Sequence, residues 1–149
     1  MITIRKMEET DRADVKRMMK FFYSSPAVFT DGSEDIFEKD IKECLSDSPY
    51  LFGFIIESDG KMAGYAMVSK CFNTEFGRRC VWIEDLFIIP EYRRTGIASE
   101  FVDWLRAENS ECVIRLEVEK ENKPAVSAYS SKGFKDVPYT QKYILPIEE

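Results

Sequence analysis

The stretch "IEDLFIIPEYRRTGIASEFVDWL", Ile83 to Leu105, decides the fold. A β-branched, apolar run stops at Pro90. Two arginines and a lone glycine follow, and from there the apolar residues switch to helical spacing at Ile97, Phe101, Trp104 and Leu105. Period-two or continuous apolar runs argue a strand, and a 3.6-residue stripe argues a helix. The longer run "CVWIEDLFIIP" is apolar on both sides, so it reads as a central strand, and the helix runs from about Gly96 to Arg106. A basic, tight turn therefore joins a buried strand to a helix, and two carboxylates, Glu84 and Asp85, stand just upstream.

Working outward, "ITIRKM" alternates Ile2 and Ile4 with polar neighbours and predicts a strand. Thr10 or Asp11 can cap a helix striped by Val15, Met18, Met19 and Phe22. Ser33 can cap a second, striped by Phe37, Ile41, Cys44 and Leu45. Asp59-Gly60 sits between two apolar runs, a strong hairpin signal. After the central strand and its helix, "CVIRLEVE" predicts another strand. "NKPAVSAYSSKGF" predicts a short helix, with Asn122 as its N-cap, Pro124 in its first turn and Gly133 at its end. "FKDV" is a weak strand signal and "YTQKYILPI" predicts a last strand. The expected order is β-α-α-β-β-β-α-β-α-β-β, one domain over 1–149. The fold class is α/β: a mixed, mostly antiparallel twisted sheet flanked by helices. The crossover from the central strand to "CVIRLEVE" is expected to be parallel and right-handed.

Composition narrows the function. The 149 residues carry a net charge of −6, which disfavours sequence-independent nucleic-acid binding and mildly favours a cationic substrate. No apolar run is long enough to span a bilayer. The N-terminus "MITIRKMEETDR" has charges where a signal peptide needs its apolar core, so a cytoplasmic protein is expected. The four cysteines, Cys44, Cys71, Cys80 and Cys112, are widely spaced and read as reduced, core or half-buried residues. There is no histidine. That excludes Ser-His-Asp and Cys-His nucleophile systems and His-based zinc sites, and no metal is expected. Acid–base work falls to Asp, Glu, Tyr, Lys, Cys, water or backbone.

The turn "RRTGIA" has its own chemistry. Amides at a helix start lack internal partners and the helix dipole adds partial positive charge, which suits a phosphate or pyrophosphate. Gly96 lets a ligand approach the backbone, and Arg93 and Arg94 can add charge-assisted bonds. The alternative is an ordinary strand-to-helix connection with solvent-facing arginines. Walker A and Rossmann glycine patterns are both missing.

"Pro90-Glu91-Tyr92-Arg93-Arg94-Thr95-Gly96-Ile97-Ala98" resembles the acyl-CoA motif of the GNAT N-acetyltransferases, [RQ]-x-x-G-x-[GA], with Arg93, Gly96 and Ala98 at its fixed positions. The segment from Asn122 to Phe134 resembles the family's second cofactor segment, N-x-x-A-x-x-x-Y-x-x-x-G-F. The element order matches along nearly the whole chain. The resemblance implies direct acetyl transfer from acetyl-CoA to a primary amine in a ternary complex. It implies that the amides of Arg94, Thr95, Gly96, Ile97, Ala98 and Ser99 hold the pyrophosphate. It implies too that the backbone of Leu86, Phe87 and Ile88 pairs with the pantetheine arm, that Asn122 contacts the cofactor, and that Tyr129 sits near its sulfur as the acid for the thiolate. Arg94 departs from the glycine many members carry there, and Ala98 stands for the commoner glycine.

An alkyl amine has a pKa of about 10.4, so a base must take its proton near neutrality. "Trp82-Ile83-Glu84-Asp85-Leu86-Phe87" is similar to the acidic strand of diamine and polyamine acetyltransferases, which points to Glu84 as that base. Asp85 could orient it or bind the amine, and Tyr23 could meet a cationic acceptor. In a regular strand Glu84 shares a face with Trp82, Leu86 and Ile88, and Asp85 shares one with Ile83 and Phe87. A bulge would disturb that count. A small cationic amine is the expected acceptor and a homodimer is expected by resemblance. The alternatives are acetylation of a protein lysine or N-terminus, and a non-catalytic acetyl-CoA-binding module.

Overall fold

The computed structural model describes residues 1–148. Five strands form one sheet in the order β1-β2-β3-β4-β5: β1 (Ile2–Lys6), β2 (Leu51–Ser58), β3 (Lys61–Asn73), β4 (Arg78–Ile88) and β5 (Val113–Leu116). The pairs are antiparallel except β4 with β5, which is parallel. The helices are α1 (Arg12–Tyr23), α2 (Glu34–Leu45), α3 (Ile97–Glu108) and α4 (Lys123–Ser131).

The two faces of the sheet carry separate cores. On one, Val15, Met18 and Met19 of α1 and Phe37 and Ile41 of α2 pack against Ile55, Tyr65, Met67 and Phe87. On the other, Ile97, Phe101, Val102 and Leu105 of α3 pack against Ile56, Ala66, Val68, Val81 and Ile83. Ile55 and Ile56 are neighbours in sequence yet belong to opposite cores, as the two-residue period of a doubly covered strand demands. Ser33 Oγ accepts from the Ile36 amide at 3.2 Å, so it caps α2. Asp59 and Gly60 both take positive φ, 50° and 79°, and form the β2–β3 hairpin turn.

Two strand expectations at the C-terminal end are corrected. Neither "FKDV" nor "YTQKYILPI" is a strand, and residues 134–148 pair with no ladder. A β-forming sequence becomes a strand only where a partner edge supplies its hydrogen bonds. Here Tyr139 donates to Glu75 Oε2 at 3.0 Å and the Tyr143 ring lies 5.8 Å from that of Phe29, so the segment is carried along a path off the sheet edge. The cysteines are all free, with Cys80 buried, Cys44 and Cys112 half-buried and Cys71 exposed. Among the described residues no helix is long and apolar enough to cross a membrane.

Candidate active site

The site is built where β4 leaves its neighbours. Met67 of β3 pairs with Asp85, and the next residue, Val68, pairs with Ile83. Glu84 is left without a partner: it is the extra residue of a β-bulge. The bulge shifts the strand's phase. Ile83 lies in the α3 core, whereas Phe87 lies in the α1–α2 core and Asp85 bonds to residues of that side. The regular-strand expectation that Ile83, Asp85 and Phe87 share a face is therefore corrected, because one extra residue moves everything beyond it to the other side.

Asp85 is only 5% exposed and both its oxygens are taken. Tyr23 donates to Oδ1 at 2.9 Å and Tyr65 donates to Oδ2 at 2.7 Å. Burial raises the Asp85 pKa above the ordinary carboxylate value, and the two hydroxyls oppose that rise. Both tyrosines are raised, by burial first and then by the Asp85 charge. Tyr23 and Asp85 thus meet each other, with Tyr65 as the third member of a closed clamp.

Glu84 itself is an exposed residue. Its pKa is raised by burial, then by the charges of Asp85 and Glu117. Asp40 of α2 faces the same place: burial, Asp85 and Glu84 push it up to about 6. Asp40 and Tyr65 are site residues that the sequence reading missed. The signal for Asp40 was a carboxylate set within the stripe Phe37, Ile41, Cys44 of α2, a costly position for a charge without a use. Together Asp40, Glu84, Asp85 and Glu117 make a negative cluster that attracts a cation and suits a proton acceptor.

Tyr129 approaches from the opposite face, packed with Leu86, Ile88 and Leu116 against the α3 core and edge-on to Phe134 at 5.7 Å. Burial raises its pKa, so it holds its proton at neutral pH. Burial is the sole cause of that rise, and no hydrogen bond to its hydroxyl contributes. Asn122 stands at the N-cap of α4 with its side chain making no capping bond.

Two features beside these groups fit a long, phosphorylated ligand. First, β4 and β5 pair only from Cys80–Val113 to Ile83–Leu116. Beyond Ile83 the strands part, and the β5 side of Leu86, Phe87 and Ile88 is open. Second, every backbone amide from Arg94 to Ser99 lacks a backbone acceptor among the described residues. Arg94 and Gly96 both take left-handed φ, 65° and 83°, which turns successive amides toward one side. Space is open where a Cβ of Gly96 would stand. Ile97, buried in the α3 core, anchors the helix behind this row, and Ala98 and Ser99 are half-buried. Thr95 Oγ1 donates to the Tyr92 carbonyl at 2.6 Å and holds the turn. The Arg93 side chain is turned back: its Nε donates to the Ile88 carbonyl at 2.8 Å and its guanidinium lies 5.4 Å from the Phe87 ring. It braces the turn onto the strand end. Among the described residues no group of three or more His, Cys, Asp or Glu is arranged to hold a metal ion.

Known proteins share this plan. The profile of the "Acetyltransferase (GNAT) family" matches residues 15–134. A thialysine N-epsilon-acetyltransferase of Mus musculus is 27% identical over 95% of this chain and 88% of its own length. The Sus scrofa protein of the same name is 28% identical over 91% and 85%. Among solved structures, a possible acetyltransferase from Clostridium difficile 630 superposes with a TM-score of 0.82 at 21% identity, covering 99% of both chains. The aminoglycoside N-acetyltransferase AAC(6')-Iy, solved with the bisubstrate analogue CoA-S-monomethyl-acetylneamine, superposes at 0.75 with 21% identity, again over 99% of both. With the family profile spanning most of its length, the chain belongs to the GNAT acetyltransferases and is an acetyl-CoA-dependent N-acetyltransferase.

Proposed function

We propose that the protein acetylates the primary amine of a small cationic molecule by direct attack in a ternary complex, with Glu84 as base and Tyr129 as acid. The observation that carries this reading is the bulge. It frees Glu84 from the ladder at the point where β4 parts from β5, beside Asp85 and Asp40. The names of the relatives, which describe acetylation of thialysine and of aminoglycosides, support an amine acceptor.

The residues divide the work. The unpaired amides from Arg94 to Ser99 hold the pyrophosphate, and the free side of Leu86, Phe87 and Ile88 receives the pantetheine arm as an added strand. Asn122 contacts the arm. Acetyl-CoA supplies an activated acyl group, so that a C–N bond forms as the C–S bond breaks. Glu84 takes the ammonium proton, directly or through water, and so releases the lone pair that attacks. Its raised pKa makes it a stronger base than an ordinary carboxylate. Tyr129 gives its proton to the departing thiolate. Asp85, with both oxygens held by Tyr23 and Tyr65, fixes the strand and supplies negative charge without touching the acceptor's reacting nitrogen.

The test is CoA release across a panel of polyamines, amino acids, aminoglycosides and peptides, then pH–rate profiles on the best acceptor. Glu84→Gln keeps the shape but cannot take a proton, so turnover near pH 7 is expected to fall by roughly 10²-fold or more. The loss recovers in part at high pH, where more acceptor is already neutral. A Glu84→Gln profile that is the wild-type profile scaled by one constant factor would remove Glu84 from the proton transfer. Absence of CoA release with every amine, from a protein that binds CoA, would sink the enzymatic role itself.

A further inference from the structure

We infer that Cys71 and Cys80 form a two-thiol redox site, in which a hydroperoxide oxidises Cys71 and Cys80 closes on it as a reversible disulfide across β3 and β4. The site is separate from the acetyl-transfer residues and does not depend on the acceptor.

Three observations meet. The first is register. Cys71 of β3 and Cys80 of β4 are direct partners in the antiparallel ladder, on the side of the bulge away from Asp85. Directly opposed residues of such a ladder have Cα atoms about 4.5–5.5 Å apart, inside the window of about 4.4–6.8 Å that a disulfide spans. The bridge therefore needs the two thiols to rotate and no movement of the strands.

The second is facing. Val68 and Val81 belong to the α3 core. Cys71 stands three residues beyond Val68 and Cys80 one before Val81, so both point to the opposite face of the sheet. Cys112 precedes Val113, the β5 partner of Cys80, but it packs with Ile114 against the α3 core. It lies across the sheet from Cys80, and Cys71 is the thiol that Cys80 meets.

The third is unequal access. Both thiols are free; Cys71 is exposed and Cys80 is 1% exposed. An oxidant in solution reaches Cys71, and Cys80 stands behind it, the arrangement of an attacked and a resolving thiol. Burial, then the Cys71 thiol, push Cys80 up to about 12, with Arg115 opposing that rise and Cys112 contributing least. Cys80 is inert towards solution reagents and reacts because it is held against its partner.

The chemistry balances with the peroxide as the only oxidant. Cys71 Sγ attacks hydrogen peroxide, so that an S–O bond forms as the O–O bond breaks and water leaves. Cys80 Sγ then attacks Cys71 Sγ. The S–S bond forms as the S–O bond breaks, and the hydroxyl leaves with the Cys80 proton as a second water. The two thiols lose two hydrogens and two electrons, and a dithiol reductant returns them by exchange. Closure ties together the ends of the 72–79 turn and pins the start of β4, where Cys80 also pairs with Val113. A cross-link that fits the native ladder restricts the unfolded chain and stabilises the fold.

The experiment treats the full-length wild type with a stoichiometric amount of hydrogen peroxide and maps its tryptic peptides without reductant. Trypsin cuts after Lys70, Arg78, Arg79 and Arg93, so peptides 71–78 and 80–93 stay joined only through the bridge. They are expected to be joined, and dithiothreitol should separate them. The thermal midpoint of the oxidised chain is expected to rise by about 3 °C or more. Cys71→Ser alters an exposed side chain and should show neither change. In Cys80→Ser the Cys71 sulfenic acid has no resolving thiol, and dimedone should capture it in several-fold greater yield than in the wild type. Peptide 80–93 joined instead to 107–115 overturns the proposal, because the partner is then Cys112. So does Cys71 joined to Cys71 of a second copy, or a wild type in which Cys71 is oxidised while Cys80 stays a free thiol. A bridge that leaves the midpoint unchanged or lowers it overturns the proposal too, because the thiols are then not poised in the native ladder.

Discussion

Arg94 is the residue at which the local rules are most openly broken. A side chain at φ 65° costs an L-residue about 1–2 kcal/mol, and the GNAT pattern usually places glycine there. The turn leaves the amides from Arg94 to Ser99 without backbone acceptors among the described residues, the row proposed above to hold the pyrophosphate. Comparison of two variants isolates the effect. Arg94→Gly is expected to be more stable to denaturant than Arg94→Ala by about 1 kcal/mol, since both lose the guanidinium and only one keeps the strained Cβ. Calorimetry should find CoA affinity in Arg94→Gly within a few-fold of the wild type if amides rather than the side chain carry the pyrophosphate. Equal stability of the two variants would mean that the turn relaxes out of the left-handed region in solution. The arginine's identity was plain in the sequence, but its φ was not, because only the strand end and α3 on either side of it force the chain through that angle.

The β3–β4 pair is the element on which the site depends. It holds the bulge at Glu84 and brings Tyr65 to Asp85. It is also unusually close at one point. A Cβ on Gly64 would stand 2.1 Å from the Phe87 carbonyl oxygen, a backbone atom that cannot swing aside. Gly64→Ala is therefore expected to cost about 2 kcal/mol or more, with the strands forced apart. Thermal unfolding is the measurement, and in a domain of this size the midpoint should fall by roughly 5 °C or more. An unchanged midpoint would show that the two strands are not in contact there. The hairpin turn at Asp59-Gly60, the α2 cap at Ser33 and the stripes of α1 to α3 were all readable from the chain, since each depends on neighbours within a few residues. The bulge was not, because it is a mismatch of register between two strands and neither strand's own pattern contains it.

At the scale of the whole molecule, the cluster of buried and half-buried carboxyl groups sets a cost that the fold carries. Folding raises Asp40 to about 6 from an ordinary 3.8, so the folded chain holds that proton more tightly than the unfolded one. The site's contribution to stability is greatest below about pH 4, where both states are protonated, and declines as the pH rises through 4 to 6. Asp40→Asn removes the decline. Its melting temperature is expected to exceed that of the wild type at pH 7 and to converge with it below about pH 4. Because Asp40 is half-exposed, solvent screening keeps the gain small. A difference that stays constant from pH 4 to 7 would show that Asp40 titrates normally and does not face Asp85 and Glu84.

Patterns of short range were enough to specify most of this protein. Alternation in β1, the helical stripes, the Asp-Gly turn and the Arg93–Ala98 motif are local statements about backbone and burial, and they located the sheet, the helices and the turn that opens α3. What needed the tertiary structure was everything set by meeting at a distance. Tyr65 and Tyr23 close on Asp85 from separate elements, 20 and 62 residues away in sequence. Asp40 comes to Asp85 and Glu84 because α2 packs against α1 and β2. The segment "YTQKYILPI" has a strand's composition but pairs with no strand among the described residues, and a strand exists only by pairing.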